Sequence, residues 1–288
     1  MIGIAMSTYE NETIITETIR SLQAQHTSFL CVIADDGSTD STVETMRRLT
    51  AGDMRFEVLS LPHGERGIAR KTAIDRLKQH SVEYLYIIDS DMVLEEQLLK
   101  SCLLYLESHL EVGALVIPER AYSDYDNYFS QVKVFERNLF NVPTDQLDTH
   151  TMEAARFWRI EAYVASGEID PTQISFEETQ PTIRYLEQGG IIRRATFTYV
   201  HHNEKQVELN DLLRKKRYYF DVMPATLDAE QGGFMKALRR WYFFRPVLYH
   251  QANLRKYSRH PLLTVGVIYM YLRLSFIGVE SLFFKRVS

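Results

Sequence analysis

Asp89 and Asp91 stand directly behind the apolar run Tyr84, Leu85, Tyr86, Ile87, Ile88, with Ser90 between them. A run rich in aromatic and β-branched residues, ended at once by acids that cannot sit unpaired in a core, reads as a buried strand leaving a sheet. Ligands of open α/β sheets bind at such carboxyl ends. On an extended chain the two carboxylates diverge. One can then hold a divalent cation, which neutralises a diphosphate, while the other reaches a sugar or ribose hydroxyl. A second reading stays open for Asp91: lying ahead of Leu94, Glu95 and Glu96, it is equally a candidate helix N-cap.

A second acidic cluster, Asp35, Asp36, Gly37, Ser38, Thr39, Asp40, follows the apolar segment Phe29 to Ala34. Asp35 and Asp36 on a glycine turn can accept hydrogen bonds from a base imide or a ribose, and adjacent acids repel unless a ligand or cation uses them. Asp40 and Ser41, with Glu44 at capping-box spacing, read as a turn and a helix start.

The elements that must position these residues alternate. Strands are expected at Ile2 to Ser7, Phe29 to Ala34, Phe56 to Leu61, Tyr84 to Ile88 and Ala114 to Ile117. Helical patterns separate them, with apolar faces such as Ile14, Ile15, Thr18, Ile19, Leu22 and Leu94, Leu98, Leu99, Cys102, Leu106. Such repetition predicts an α/β fold with a mostly parallel sheet flanked by helices on both faces. The first strand leads into Ser7, Thr8, Tyr9, Glu10, Asn11, Glu12 rather than a G-x-G-x-x-G turn, which disfavours a dinucleotide-binding oxidoreductase.

The 288 residues are 45% apolar, enough to bury a sizeable core. Cys31 and Cys102, each inside an apolar segment, predict buried thiols in a reducing compartment, with no disulfide framework and no thiolate metal site. Met1 runs straight into Ile2, Gly3, Ile4 and Ala5 with no basic n-region or cleavage pattern, which predicts a cytosolic protein.

The formal charge of −5 conceals an asymmetry, because residues 214–288 carry 14 Lys/Arg against 4 Asp/Glu. A boundary near residue 213 is therefore expected, with 1–213 as the nucleotide-binding body and 214–288 as a basic, aromatic, helical extension. Arg214, Lys215, Lys216 and Arg217, then Lys236, Arg239 and Arg240 beside Trp241, Tyr242, Phe243 and Phe244, suit the headgroup layer of an anionic membrane. Nucleic acid is disfavoured, because the acidic body repels a polyanion and no binding motif is present. Pro261 to Phe284 is almost wholly apolar but interrupted by Arg273 and Glu280. It reads as an interfacial or re-entrant helix flanked by Arg259, Lys285 and Arg286, with a helix closing the soluble core as the alternative.

Taken in order, Ser7-Thr8-Tyr9, the run DDGSTD and the run DSD at the ends of strands one, two and four resemble the family 2 glycosyltransferases of GT-A fold. The resemblance continues through Gly67, Ile68, Ala69, Arg70, then Gly167, Glu168, Ile169, Asp170, then Phe176, Glu177, Glu178, and on to Arg184, Gly189 and His201 or His202, covering about residues 1 to 205. It implies a nucleoside-diphosphate sugar as donor, a UDP-sugar favoured. Ser7, Thr8, Tyr9, Asp35, Asp36, Arg70, Asp89, Ser90 and Arg184 are then substrate-binding, and Asp91 with His201 or His202 holds Mg²⁺ or Mn²⁺. Two departures matter: Glu177-Glu178 stands where the family usually has Glu-Asp, and Lys71 where it has Asn after the arginine. Lys71 reads better as a solvated helix residue than as a phosphate contact.

Glycosyl transfer needs its diphosphate leaving group neutralised and the proton of a weakly nucleophilic hydroxyl removed. The resemblance assigns that base to Glu178, with Glu177 second, and implies inversion at the anomeric carbon. The acceptor expected is a saccharide or lipid-linked saccharide, as in polysaccharide biosynthesis, met on the cytoplasmic face of a membrane. A polyprenyl-phosphate acceptor would need no base, so the two glutamates argue against it. A non-catalytic scaffold of the same fold would be expected to have lost the DSD acids.

Overall fold

The computed structural model describes residues 1–64, 66–145, 153–171, 179–228 and 242–284, and the chain divides into two compact units. The first comprises Met1–Glu119 with Thr144–His202, and the second Arg120–Pro143 with Asn203–Ser288. The second unit thus takes residues 120–143 and 203–213 from the 1–213 stretch, where charge composition alone drew a single boundary.

In the first unit, β1 (Ile2–Thr8), β2 (Phe29–Asp35), β3 (Phe56–Ser60) and β4 (Tyr84–Asp89) pair in parallel, with α1 (Ile15–Gln23), α2 (Thr42–Thr50) and α3 (Arg66–Lys78) as crossovers. A short β5 (Met92–Leu94) and α4 (Leu98–Ser108) follow, then β6 (Val112–Val116). Beyond β7 (Glu119–Tyr122) and α5 (Tyr128–Asn138), the chain returns through β8 (Arg156–Arg159), α6 (Ile160–Ala165), α7 (Thr179–Glu187), β9 (Ile191–Arg194) and β10 (Val200–Asn203). The main sheet runs β3-β2-β1-β4-β8-β6-β9. β8 lies antiparallel between β4 and β6, a reversal within an otherwise parallel sheet.

Both faces of this sheet are covered, which is why its strands are near-continuous apolar runs. Ile2, Ile4 and Met6 enter one core with Ile15, Ile19 and Leu22 of α1. On the other face Ala5 shares a core with Val32, Ala34, Ala69, Ala73 and Ile74, and the alanines of strand and helix let α3 approach closely. Cys31 and Cys102 are buried and free, and burial pushes both thiols well up, so they are inert as expected.

The second unit packs α5 with α8 (Leu209–Asp228), α9 (Gln251–Arg259) and α10 (Pro261–Phe284), joined by 3₁₀ turns at Tyr242–Phe244 and Pro246–Tyr249. Val132, Phe135, Leu213, Met270, Tyr271 and Leu274 form its core. α10 therefore does close a core with one face, the alternative weighed from its sequence. Glu280 is tied to Arg217 of α8 at 2.8 Å, and Arg273 donates to the Tyr269 hydroxyl at 2.9 Å. Residues 261–280 are also long and apolar enough, by composition, to cross a membrane.

Candidate functional site

Four strand ends and one returning strand assemble the site. At the end of β1, Ser7 and Thr8 are buried, and neither hydroxyl has a hydrogen-bond partner among the described residues. Buried hydroxyls without partners are costly, so they are groups that a ligand would satisfy. Tyr9 is half-exposed and stacks on His63 with ring centroids 4.5 Å apart.

At the end of β2 the two aspartates separate in role. Asp35 accepts from the Ser38 hydroxyl at 2.6 Å and the Ser38 backbone N–H at 2.9 Å, and so locks the turn. Asp36 accepts from the Gly64 N–H at 2.9 Å through Oδ1, while Oδ2 lies 3.4 Å from His63 Nδ1. The turn closes only because residue 37 is glycine: its φ is +75°, and a Cβ there would lie 2.6 Å from the His63 backbone nitrogen. Ser41 holds the N-cap position of α2 but makes no side-chain cap, contrary to the capping-box expectation; the Thr42 N–H donates instead to Asp40 at 3.0 Å.

The DSD turn behind β4 is held from below. Asn11 donates to the Ser90 carbonyl at 2.8 Å and to its hydroxyl at 3.0 Å, and the Thr18 hydroxyl donates to the same carbonyl at 2.8 Å. Ser90 thus anchors the turn, and Asn11 and Thr18 are supports that the sequence reading did not single out. Asp89 is ion-paired with the buried guanidinium of Arg70. Burial alone would raise the Asp89 carboxyl, but the charges of Arg70 and Arg66 outweigh it and hold it below the ordinary carboxylate range.

Asp91 caps no helix. It is followed by β5, and the N-cap of α4 is Gln97. β10 pairs antiparallel with β5, His202 opposite Met92 and His201 opposite Val93. The two histidines therefore face opposite sides. His202 is buried with Nε2 3.8 Å from Asp91 Oδ2, whereas His201 packs edge-on against Tyr199. Behind His202 lies Glu119, fully buried, with Oε2 3.1 Å from the imidazole Nδ1. Glu119 was also missed, although its signal matches that of Asp89: an acid just past an apolar strand.

A separation of 3.8 Å is too long for a hydrogen bond. Adjacent donors on an octahedral ion at bonds of about 2.1–2.2 Å lie about 3 Å apart, so the two side chains would draw together by under about 1 Å to share one. A hard carboxylate oxygen and an imidazole nitrogen suit Mn²⁺ or Mg²⁺, and among the described residues no third His, Cys, Asp or Glu converges with them. The residues present fit such an ion as a partial shell, to be completed by a diphosphate and water.

One expected contact goes elsewhere. Arg184 fastens the turn after α6 by donating to the Ser166 carbonyl at 2.6 Å and to the Glu168 carbonyl, so its guanidinium is engaged by backbone rather than presented to a substrate. Lys71 pairs with Asp75 and Glu168, the helix-surface role expected of it. Phe176, Glu177, Glu178, Lys236, Arg239, Arg240, Trp241, Lys285 and Arg286 lie outside the described residues.

A mostly parallel sheet flanked by helices, with acidic turns at its carboxyl ends, is the arrangement of the GT-A fold. Residues 3–186 match the profile described as Glycosyl transferase family 2, and the chain belongs to that family. Over 111 residues it is 30% identical to the poly(ribitol-phosphate) beta-N-acetylglucosaminyltransferase TarS of Staphylococcus aureus, an overlap of 37% of this chain and 19% of that protein. The chain thus spans about a fifth of this curated relative. The S. aureus TarS 1-349 structure in complex with UDP superposes with TM-score 0.58 at 18% identity, covering 95% of this chain and 80% of that one. The mannosyltransferase PcManGT of Pyrobaculum calidifontis, in complex with GDP-Man and Mn²⁺, gives 0.59 at 15% identity, covering 99% and 87%.

Proposed function

We propose that this protein transfers a sugar from a nucleoside-diphosphate sugar, UDP-linked by preference, to a hydroxyl of a saccharide or lipid-linked saccharide, with inversion at the anomeric carbon. One observation carries the reading: Asp91 and His202, 111 positions apart in the chain, lie 3.8 Å apart at the DSD turn whose Asp89 pairs in register with Ser7. The nucleotide complexes of the two structural neighbours support the donor class.

In this reading Asp36 and the stacked Tyr9–His63 pair receive the base and ribose, and Ser7 and Thr8 supply hydroxyls to the donor. Arg70 holds Asp89 ionised and in place to accept from a ribose or sugar hydroxyl. A divalent cation held by Asp91 and His202 would offset the charge that develops on the departing diphosphate. Glu178, or Glu177 beside it, takes the acceptor proton as the hydroxyl attacks; this assignment rests on the family resemblance alone.

We place the protein on the cytoplasmic face of a membrane. Leu262, Val265, Tyr269, Leu272, Phe276 and Val279 recur at intervals of three and four along α10 and are exposed, a stripe opposite its core-packed face. An apolar stripe on a helix following the basic Arg255 and Arg259 suits interfacial binding.

The test is a panel of sugar nucleotides measured by thermal shift and by product formation, with and without Mn²⁺. Transfer should require the cation, and Asp91→Asn should abolish it with the fold intact. Full turnover in EDTA, or by a folded Asp91→Asn protein, refutes the metal-assisted mechanism.

A further inference from the structure

Glu119 has no part in the chemistry just described, yet its carboxylate is fully buried, anchored through one oxygen and close to His202 through the other. Oε1 accepts from the Ala154 backbone N–H at 2.7 Å, and Oε2 lies 3.1 Å from His202 Nδ1. The strands that carry the pair are joined next door, where Val200 N–H donates to the Pro118 carbonyl at 2.9 Å. On the far side of the imidazole, Nε2 faces Asp91.

We infer that Glu119 is a positioning residue that fixes the tautomer of His202, keeping the proton on Nδ1 and the Nε2 lone pair turned toward Asp91. The inference rests on the proposed cation site at Asp91 and His202. A neutral imidazole carries one N–H and one lone pair, and the carboxylate closer to one nitrogen, here Glu119 at 3.1 Å from Nδ1 against Asp91 at 3.8 Å from Nε2, draws the proton to its own side and leaves the lone pair on the other. Without Glu119 the Asp91 carboxylate would draw the proton to Nε2. The resulting N–H would then point at Asp91 and block the position a cation needs. Glu119 opposes this with a second carboxylate, on the other nitrogen, which the Ala154 N–H prevents from swinging away.

Glu119→Gln gives a sharp test because it keeps the volume and reverses one polarity. The new amide satisfies both neighbours only by turning its oxygen to the Ala154 N–H and its NH₂ to His202 Nδ1. That arrangement forces the proton onto Nε2. The experiment measures the Mn²⁺ dissociation constant of the full chain at saturating UDP, the UDP affinity without metal, and the His202 tautomer by ¹⁵N NMR of the metal-free protein. The proteins compared are wild type, Asp91→Asn, His202→Ala, Glu119→Gln, Glu119→Ala and Glu119→Gln/His202→Ala.

Mn²⁺ binding by the Glu119 variants should weaken about 10–100-fold, the effect typical of losing a ligand's orienting partner. Metal-free UDP affinity should be unchanged and the tautomer should switch to Nε2–H. In the double variant Glu119→Gln should add nothing to His202→Ala. Wild-type Mn²⁺ affinity in Glu119→Gln, an unswitched tautomer, or additive losses in the double variant overturns the inference while leaving the cation site standing. Unchanged Mn²⁺ affinity in Asp91→Asn and His202→Ala removes the cation site itself, and the inference with it. Should Glu119→Ala fail to fold, the isosteric glutamine variant decides alone.

Discussion

The carboxylate of Glu136 should govern the acid stability of the second unit. It is buried beneath α10, accepts from the Tyr271 hydroxyl at 2.6 Å, is ion-paired with Lys133, and has Arg245 3.8 Å away. Burial opposes its ionisation, but the Lys133 and Arg245 charges and the Tyr271 hydrogen bond prevail and bring its pKa from the usual 4.5 to about 2. The native state therefore binds fewer protons than the unfolded chain across this window. The stabilisation is whole above about pH 5 and is lost as pH falls toward 2. A shift of that size corresponds to about 3 kcal/mol at neutral pH. Lys216, which faces the same charges, is pushed down to about 7 by burial and its basic neighbours. It is protonated in both states below about pH 6, so it adds no slope where Glu136 titrates. Glu136→Gln should cost about 3 kcal/mol at pH 7, about 1.4 kcal/mol at pH 3 and almost nothing at pH 2 and below, where the wild-type advantage is gone. Tyr271→Phe should lose about 1.5–3 kcal/mol, the value of one charge-assisted hydrogen bond. Urea unfolding at pH 7, 5, 4 and 3, with amide exchange of α5 and α10 to localise the change, measures both. A Glu136→Gln protein that unfolds with wild-type pH dependence between 5 and 3, or loses under 1 kcal/mol at pH 7, refutes the argument.

Gly37→Ala should destabilise by about 1–3 kcal/mol, because the residue has a positive φ and its Cβ would meet the His63 backbone, which no side-chain rotation can relieve; an unchanged melting temperature would contradict this. Asp36→Ala should weaken binding of the free nucleoside diphosphate about tenfold by calorimetry, even without acceptor; an unchanged dissociation constant removes Asp36 from the nucleotide site. Leu272→Glu with Phe276→Glu should release the protein from anionic vesicles in flotation, since both side chains are exposed on α10 and a charge opposes interfacial burial. Raised salt should weaken wild-type binding by screening its basic residues. Equal flotation of the charged variant, or none by wild type at low salt, would leave α10 as a core-closing helix only.

The strands, their order of appearance and the acids at their ends were legible in the sequence because each is a local pattern. An apolar run buried on both faces has to be continuous, and a carboxylate has to mark the point where it leaves the core. Cys31, Cys102 and the helix-surface role of Lys71 followed from equally local rules. Pairing is not local. That β8 runs antiparallel between β4 and β6, and that β10 lies against β5, is decided by hydrogen bonds between segments tens of residues apart or more. Only that second pairing separates His202, turned toward Asp91, from His201 on the opposite face. The same distance in sequence hid Glu119 behind His202, directed Arg184 to the Ser166 and Glu168 carbonyls, and gave Asp91 a strand to lead rather than a helix to cap. Chain chemistry supplied the donors, and tertiary pairing decided which of them share a site.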